Sequence, residues 1–581
     1  MNSQGESPLL ALQENSWEDG SPSTTRFGEI FDPKLEENVE IVRQRITALS
    51  QEPIQMVQGP GVTEESVSLV NTMVKDKLIQ SWKRMKKSDT EENLVELSAH
   101  QKIYETALFS HQDVYDVCAS WKQRHERQEL YCLHILNQIL LQRQRVIKNN
   151  ERLATTPELE LRDQGFTRPR VLIITPFRSS ALEIIRIFSK LWSGLGGQVD
   201  NQGRLEEEFG PSEEDQAADD RRKRSNQPAD FVDTFKGNSD DCFRLGIKCT
   251  RKSLKCFCDF YSSDIIVASP LGLRFIIDGQ SETKKIKINN VRSKKKRIVK
   301  KGDADFLSSI QMLIVEQAEV IAMQNWEHVP HVLEHVNKLP KQSHGCDFSR
   351  VQTIFLDGIA PGARQNLIFS AYPFPELNHL FASPVLANCA GKWYRSGEGT
   401  YPGVIKSATR HLSPRFHLIG DATLANLPTR RLNYFVENIL SSLSQSAHHV
   451  CIFISSYLDF VQVREHFTRH DISHAVLSEY CDGAHISAAR TRFFSGEARF
   501  LLVSERFHFF KRYRIRGISR LIFYSLPEQM DFFEEWCSMV DPKDVKSPTA
   551  TELPMIVSPF DYLKAARIVG SKRVKSLFGG E

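Results

Sequence analysis

The sequence predicts an α/β protein made of two tandem parallel-sheet domains. Short apolar runs end abruptly in turns or polar residues, and the run Met312–Val315 closes on an acid, as expected for a central strand that is buried on both faces. Such runs alternate with helical patterns in two successive series, on either side of a Pro/Gly-rich segment at 374–403. With 581 residues, of which 40% are hydrophobic, the chain is long enough for two or three domains.

The composition argues against membrane, secreted and metal-dependent classes. The net charge is +3, so binding of a nucleic acid would depend on local patches. The 11 cysteines are scattered, which indicates a reducing compartment, and the tightest group (Cys242, Cys249, Cys256, Cys258) has poor spacing for zinc. Residues 1–16 lack the features of a signal peptide, and no run approaches the ~18 apolar residues of a membrane span. We expect no metal, no cofactor and no membrane association.

The chain is predicted to begin with an N-terminal extension over residues 1–98. Residues 1–60 are rich in Ser, Glu, Pro and Gln, which predicts disorder. Between 62 and 150 the apolar residues recur every three or four positions, which predicts helices, one of them over Tyr131–Ile147. The first sheet domain is assigned to 99–375 and the second to 376–581.

The first domain contains predicted strands that share a short apolar run: Arg170–Pro176, Ser263–Pro270, Met312–Val315, Val351–Leu356 and Gln365–Ser370. Helices are predicted after the first two strands, at Ser180–Trp192 and Leu271–Ile277. The segment 193–230 is Gly-, Glu-, Asp- and Arg-rich without periodicity, which predicts an exposed loop. A second loop insertion, 279–303, carries the basic run Lys284–Lys301.

The second domain repeats the alternation. Its predicted strands are Phe416–Ile419, Val450–Ile454, Phe500–Val503 and Leu521–Tyr524. Its predicted helices are Arg430–Leu443, Phe460–Phe467 and Ala488–Phe494. A turn at Pro527 follows the last of these strands.

The acids that follow Met312–Val315 mark the first candidate site. In open α/β sheets, ligands lie beyond the carboxyl ends of the strands, and in nucleotide-driven motors an Asp-Glu pair at such an end holds magnesium. Here the corresponding residues are Glu316, Gln317, Ala318 and Glu319, so the first acid is one methylene longer and the second position is neutral. The alternative interpretation is that Glu316 and Glu319 are solvated acids that cap a strand and begin a helix.

Several short segments, each at a predicted strand end, resemble the motifs of DEAD-box RNA helicases in their order. The segments are T-P-F-R (175–178), S-P-L-G-L-R (269–274), V-E-Q-A-E (315–319), F-S-A-Y (369–372), C-I-F-I-S-S-Y (451–457), F-F-S-G-E-A-R-F-L-L-V-S-E (493–505) and R-I-R-G-I followed by L-I-F-Y-S-L-P (514–527). This resemblance implies two RecA-like domains.

Longer phrases are similar to one branch of that superfamily, the digestive organ expansion factor family. They include F-T-R-P-R-V-L-I-I-T-P-F-R, M-Q-N-W-E-H-V and E-R-F-H-F-F-K-R-Y, and the resemblance covers residue 163 to the C-terminus. It implies a nucleolar protein of the small-subunit processome, associated with U3 small nucleolar RNA or pre-ribosomal RNA and with processome proteins. The implied role is in ribosomal RNA processing and small-subunit assembly, on a helicase-like fold that is not expected to hydrolyse ATP.

The residues themselves also argue against ATP hydrolysis. A phosphate cradle needs a Gly-rich loop at a helix N-terminus, but no glycine occurs between Gly61 and Gly165. The segment 532–540, where the resemblance places arginine fingers, contains no arginine. We therefore expect no catalytic residue and a scaffold of the pseudohelicase type. The alternatives are an active ATP-dependent RNA helicase and a module that binds only proteins.

Candidate RNA-binding residues follow strands in both domains. They occupy positions that resemble the RNA-facing elements of the helicases, where glycines and arginines hold phosphates without reading sequence: Arg178, Gly272, Arg274, Arg514, Arg516 and Gly517. The alternative is that the arginines form ion pairs between domains. If Arg178, Arg274 and Arg516 line one phosphate track, removal of their charge should weaken binding of all sequences about equally.

A basic cluster of the nuclear-import type lies inside the second insertion. It consists of Lys294, Lys295, Lys296 and Arg297, and a second cluster lies at 221–224 (R-R-K-R). The alternative for each is a solvated loop. The first interpretation predicts a protein of the nucleus and nucleolus.

Overall fold

A computed structural model describes residues 57–58, 69–86, 97–279, 302–396, 401–420, 422–443, 447–540 and 551–578. The predicted disorder within 1–56 and the predicted import cluster Lys294–Arg297 lie outside these residues. The chain divides into two compact units, Met1–Arg395 and Ser396–Glu581. The predicted boundary after residue 375 lies before the last strand of the first unit.

The first unit is built on one sheet. Its strands are β1 (Val57–Gln58), β2 (Asp113–Asp116), β3 (Val171–Ile174), β4 (Gln198–Asp200), β5 (Arg244–Cys249), β6 (Ser253–Cys258), β7 (Ile265–Ala268), β8 (Met312–Val315), β9 (Gln365–Phe369) and β10 (Lys392–Arg395). The order across the sheet is β1-β10-β2-β9-β8-β3-β7-β5-β6-β4. The pairs are parallel except that β5 runs antiparallel to β6 and β7.

The helices of the first unit are α1 (Leu69–Met73), α2 (Asp76–Lys86), α3 (Ala99–Phe109), α4 (Arg124–Thr155), α5 (Arg178–Gly194), α6 (Gln202–Phe209), α7 (Glu213–Arg224), α8 (Ala229–Thr234), α9 (Pro270–Ile277), α10 (Ala318–Asn325), α11 (His328–Leu333), α12 (Thr353–Leu356) and α13 (Pro375–Ala382). The predicted helix Tyr131–Ile147 is confirmed and lies inside the longer α4.

Both faces of this sheet are buried, as the continuous apolar runs predict. Along β3, Val171 and Ile173 belong to the core on one face, and Leu172 and Ile174 belong to the core on the other. Neighbouring side chains of a strand point to opposite faces, so a strand covered on both sides needs apolar residues at every position. The cores of the two faces hold the strands rigidly, and their carboxyl ends present the candidate site.

Two predicted elements of the first unit are wrong. The segment 193–230 is not a loop, because it contains β4, α6, α7 and the start of α8. Leu205 and Phe209 of α6 are buried against the core. Charged residues hide this pattern, and Ser212 caps α7 through a reciprocal pair of bonds with Asp215. The predicted strand Val351–Leu356 is the short helix α12, whose apolar residues pack in a separate cluster and not in the sheet.

The second unit has a six-stranded parallel sheet in the order β11-β16-β15-β12-β14-β13. Its strands are β11 (Leu412–Leu418), β12 (Val450–Ile454), β13 (His474–Leu477), β14 (Phe500–Ser504), β15 (Arg520–Phe523) and β16 (Thr551–Val557). Its helices are α14 (Ile405–Ala408), α15 (Leu427–Tyr434), α16 (Tyr457–Arg469), α17 (Gly483–Phe494), α18 (Glu505–Lys511), α19 (Met530–Ser538), α20 (Tyr562–Val569) and α21 (Ser571–Leu577), with a π-helical turn over Phe435–Leu440. The fold class predicted from sequence, two tandem RecA-like parallel-sheet domains, is confirmed.

Candidate functional site

The first candidate site lies where β2, β8 and β9 end, at the carboxyl edge of the first sheet. The loop 117–123 joins β2 to α4, and it stands where a phosphate cradle would begin a helix. It contains no glycine, as its sequence V-C-A-S-W-K-Q shows. Its backbone is bonded to the protein, because Ala119 N donates to Ser370 O at 2.9 Å and Cys118 N donates to Asp116 Oδ1 at 2.9 Å. Backbone N–H groups of this loop are therefore already hydrogen-bonded to residues of the first unit.

A buried ion pair occupies the position of the acid pair. Arg127, in the first turn of α4, places Nη2 3.2 Å from Oε2 of Glu316, and the two side chains are 4% and 1% exposed. The guanidinium also lies 4.6 Å from the ring centre of Phe369. Burial disfavours the charged guanidinium, but Glu316, together with the nearby Tyr104 and Asp116, outweighs burial and raises the pKa of Arg127. The positive charge beside this acid thus comes from the protein.

The other residues of the acid-pair segment are also bonded within the unit. Gln317 has a left-handed backbone (φ 53°) at the start of α10, and its Oε1 accepts a hydrogen bond of 2.7 Å from Ser180 Oγ. Glu319 Oε2 accepts a bond of 3.0 Å from the backbone N–H of Ala371, and burial raises the pKa of Glu319. The interpretation of these acids as solvated is wrong for Glu316, which is fully buried because Arg127 compensates its charge.

Sequence reasoning missed Arg127. The available signal was an arginine in the first turn after the glycine-free loop, close to where a phosphate-binding lysine would lie. The pairing of Arg127 with Glu316 joins residues 189 positions apart, so the order of strands in the sheet decides it.

In the first unit, the candidate RNA-binding residues have partners inside the protein. Arg178 donates to the backbone oxygens of Glu208 (2.9 Å) and Cys242 (3.3 Å), and it pairs with Asp240 at 3.0 Å. Arg274 contacts His328 Nδ1 at 2.7 Å and Asp278 Oδ2 at 3.3 Å. These bonds hold both guanidinium groups in place against their own unit.

Gly272 has a packing role in the same segment. A Cβ built at this position would lie 2.2 Å from the backbone oxygen of Phe243, which only a glycine avoids. The N–H of Gly272 donates to the Ser269 side chain that caps α9. The position is therefore required by the fold, whether or not RNA passes near it.

In the second unit, the segment after α18 contains one buried arginine and two exposed ones. Arg512 is buried and binds Glu535 with two bonds of 2.7 Å. Arg514 and Arg516 are exposed, and neither forms an ion pair with a carboxylate of the second unit's described residues. Gly517 has φ 79°, a conformation that favours glycine, and it turns the chain into β15.

The second basic cluster, 221–224, belongs to helix α7. Within it Arg222 pairs with Asp219 at 2.7 Å and donates to the backbone oxygen of Phe235. The other three residues of the cluster are exposed. In the described part of the chain, no group of three or more His, Cys, Asp or Glu residues could hold a metal ion, and no helix is long and apolar enough to cross a membrane.

The fold defines the class of this protein: two tandem RecA-like units, with a buried ion pair at the carboxyl edge of the first sheet. Two family models match the chain, "UTP25, NTP hydrolase-like domain" over residues 111–393 and "Utp25, C-terminal domain" over residues 404–581. The chain belongs to the UTP25 family. The digestive organ expansion factor family is the same family under another name, so the resemblance drawn from the sequence is confirmed.

Curated relatives carry the name U3 small nucleolar RNA-associated protein 25. The chain is 38% identical over 493 residues to the one from Botryotinia fuckeliana and 39% identical over 490 residues to the one from Neurospora crassa. Each match covers 82% of this chain but 64% and 62% of those relatives, so the chain spans under two thirds of their length. The Schizosaccharomyces pombe relative is 36% identical, with 87% of this chain and 73% of that protein covered.

Solved structures also match, at low sequence identity. They include yeast splicing factor Prp28 (11% identity, TM-score 0.30, 94% of this chain and 96% of that one) and yeast Dbp5 bound to Gle1 (10% identity, TM-score 0.28, 88% and 93%).

Proposed function

We propose that this protein is a pseudohelicase that acts as a scaffold in the small-subunit processome, in ribosomal RNA processing and small ribosomal subunit biogenesis. Its partners are processome proteins together with U3 small nucleolar RNA or pre-ribosomal RNA, and it works in the nucleolus. The relatives' name, U3 small nucleolar RNA-associated protein, supports the process and the compartment. The absence of catalysis is argued from the residues.

The observation that carries the proposal is the buried pair of Arg127 and Glu316. In a working site, magnesium and the phosphates need a free acid at this strand end. Here the acid already faces a guanidinium that is itself buried, and moving either charge into a low-dielectric interior without its partner is costly. The pair stabilises the fold in the position where a motor protein would bind metal.

The groups that normally offset a triphosphate are also altered. A triphosphate brings about four negative charges, which a cradle, a lysine, magnesium and arginine fingers compensate. The loop 117–123 has no glycine to let the backbone approach phosphate, Gln317 is neutral, and 532–540 carries no arginine. One altered element could be compensated, whereas several together leave nothing to hold the nucleotide.

The test is a pair of measurements on the full chain with millimolar ATP and magnesium. We expect no shift of the thermal midpoint and no phosphate release, with or without RNA. The active helicase predicts the opposite: RNA-stimulated release that Glu316→Gln abolishes and the control Glu319→Gln alters less. That result would overturn the proposal that the protein is an inactive scaffold.

RNA binding by the second unit rests on Arg514 and Arg516, which are exposed and have no carboxylate partner in the described part of that unit. Cations that hold phosphates make affinity fall with salt, by a slope of about 0.7 per phosphate contact on a single strand. A salt titration of single-stranded RNA binding by fluorescence anisotropy tests this contact. Binding that is absent at low salt would favour the module that binds only proteins.

Localisation is tested separately by imaging the tagged full-length chain. We expect accumulation in the nucleolus that depends on Lys294–Arg297, with Arg221 and Lys223 changed to Ala as the comparison for the second cluster. A diffuse cytoplasmic signal would contradict a processome role.

A further inference from the structure

A cavity of about 420 Å³ opens at the amino edge of the first sheet, opposite the candidate site. Its walls come from α4, the segment that enters β3, the turn between β5 and β6, and the loop around Gly345. Arg170 directly precedes β3 and Asp264 directly precedes β7, so the cavity lies where these strands begin. Its volume is in the range of small-ligand sites.

Positive side chains dominate the lining. Arg143, Arg170 and Lys248 line the cavity, and none of them forms an ion pair with a carboxylate among the residues that the structure describes. Asp264 is the acid of the lining, and Arg168 already holds it with bonds of 2.8 and 3.0 Å. The cavity therefore keeps an excess of positive charge that an anion would balance.

Among the residues that line the cavity, Arg170 shows the clearest sign of a missing partner. Its Nη1 is buried and has no hydrogen-bond partner in the described part of the chain. Burial lowers the pKa of Arg170 to about 10, even though Asp264 and Asp163 act in the opposite direction. A buried donor without an acceptor is destabilising, and a bound anionic oxygen would supply the missing acceptor.

The same cavity has an aromatic wall. The rings of Tyr261 and His344 are stacked with their centres 4.2 Å apart. Bonds from Tyr261 to Asp303 (2.8 Å) and from His344 to Asp305 (2.9 Å) fix both rings. Flat rings beside cations are the combination that binds single-stranded nucleic acid, with bases on the rings and phosphates on the cations. An acidic peptide would use the cations and leave the rings without a partner.

We propose that this cavity binds one nucleotide of a single-stranded RNA, with its phosphate at Arg143, Arg170 and Lys248 and its base beside Tyr261 and His344. The site deepens the proposed function, on which it rests, by adding an RNA contact in the first unit that is distinct from Arg514 and Arg516. It also lies away from the strand ends where helicase motifs are found.

The cavity contains its own reporter. Cys346 lines it and is partly exposed, and Cys481, partly exposed in the second unit, is a matched control. The full chain is alkylated with iodoacetamide at alkaline pH, and each cysteine peptide is followed by mass spectrometry. With a short uridine oligonucleotide at ten times its dissociation constant, alkylation of Cys346 should slow about tenfold while Cys481 is unchanged.

Two double variants locate the contact. Arg143→Ala with Lys248→Ala should abolish the protection of Cys346 and lower the salt slope of RNA binding by about 1.4. The control, Lys148→Ala with Lys190→Ala, removes the same charge from exposed positions outside the lining and should leave both unchanged. Thermal unfolding checks each variant, and Lys248→Glu alone replaces the first pair if that variant does not fold.

The outcomes separate the two proposals. RNA binding that needs Arg514 and Arg516 without any protection of Cys346 would overturn the cavity site and leave the proposed function standing. Protection of Cys346 that survives Arg514→Ala with Arg516→Ala would support the cavity as a separate contact, and an unchanged salt slope in that variant would count against the contact in the second unit. Protection by a polyglutamate peptide and not by RNA would overturn the proposal that the cavity binds a nucleotide. It would indicate that the cavity binds an acidic protein segment.

Discussion

The two edges of the first sheet use arginine in opposite ways. At the carboxyl edge, Arg127 is buried and paired with Glu316, and the loops around it are bonded to one another. At the amino edge, Arg170 forms no ion pair with a carboxylate among the described residues, and Arg143 and Lys248 line the same open cavity. The edge where nucleotide-driven motors bind their ligand is closed by protein groups, and the edge that they do not use keeps unbalanced charge.

The difference shows that the presence of an arginine does not by itself indicate whether it stabilises the fold or can bind a ligand. A guanidinium that meets an internal carboxylate stabilises the fold, and one that does not is available to an external anion. The second unit shows the same contrast within a few residues, since Arg512 binds Glu535 whereas Arg514 and Arg516 are exposed.

The largest effect is expected from breaking the buried pair of Arg127 and Glu316 at the carboxyl edge. Arg127→Met should lower the free energy of unfolding of the first unit by about 3–5 kcal/mol, because Glu316 would remain buried and charged. Urea denaturation measures this change. Arg127→Met combined with Glu316→Leu removes both charges and should recover most of the loss. A single variant as stable as the wild type would show that the pair does not support this edge.

A smaller effect is expected from acid on the internal pair of the second unit. Burial alone would raise the pKa of Glu535, but bonds from His508 and Arg512 outweigh it and lower the pKa to about 2, below the ordinary 4.5. The stabilisation is therefore complete above pH 4.5 and is lost as the pH falls toward 2, by at most about 3 kcal/mol.

Glu535→Gln provides the comparison for this pH dependence. The stability difference between wild type and variant should shrink below pH 4.5, as measured by urea unfolding with fluorinated Trp536, the one tryptophan after residue 396. A difference that stays constant from neutral pH to pH 2 would contradict the pairing.

A moderate effect is expected at Gly272, a position that resembles an RNA-contacting glycine. Gly272→Ala should destabilise the first unit by about 1–3 kcal/mol, because the added methyl group would lie against the backbone oxygen of Phe243. Gly203→Ala in α6 meets nothing within 4 Å and should be neutral or slightly stabilising. Lower RNA affinity with unchanged stability in Gly272→Ala would show a direct contact with RNA instead.

The smallest effect on stability is expected from the exposed arginines. Arg514→Ala with Arg516→Ala should change the free energy of unfolding by no more than about 0.5 kcal/mol, since neither side chain is buried. The same variant should lower the salt slope of RNA binding by about 1.4. Equal loss of stability and of binding would mean that these residues support the fold.

The sequence predicted the strands that carry the helicase-like motifs, because their apolar runs are continuous and need no tertiary information. It missed β1, β2, β4, β5, β6, β10, β13 and β16, most of which are short or interrupted by polar residues, and it placed a loop where α6 and α7 lie. Polar and charged residues interrupt these segments and mask the apolar pattern that would mark them, even where the strand is fully buried, as in β2. Val351–Leu356 was misassigned because an apolar run of that length fits a strand or a short helix equally well.

The amino-acid sequence by itself determined the class of the protein, the glycine-free loop, the neutral Gln317 and the absence of arginine at 532–540. These are properties of residue type and order, and no packing can supply a missing glycine or guanidinium. Only the tertiary structure decided which charges are balanced. Arg127 forms an ion pair with Glu316, and Arg170 forms none in the described part of the chain, because the order of the strands brings distant segments together at each edge of the sheet.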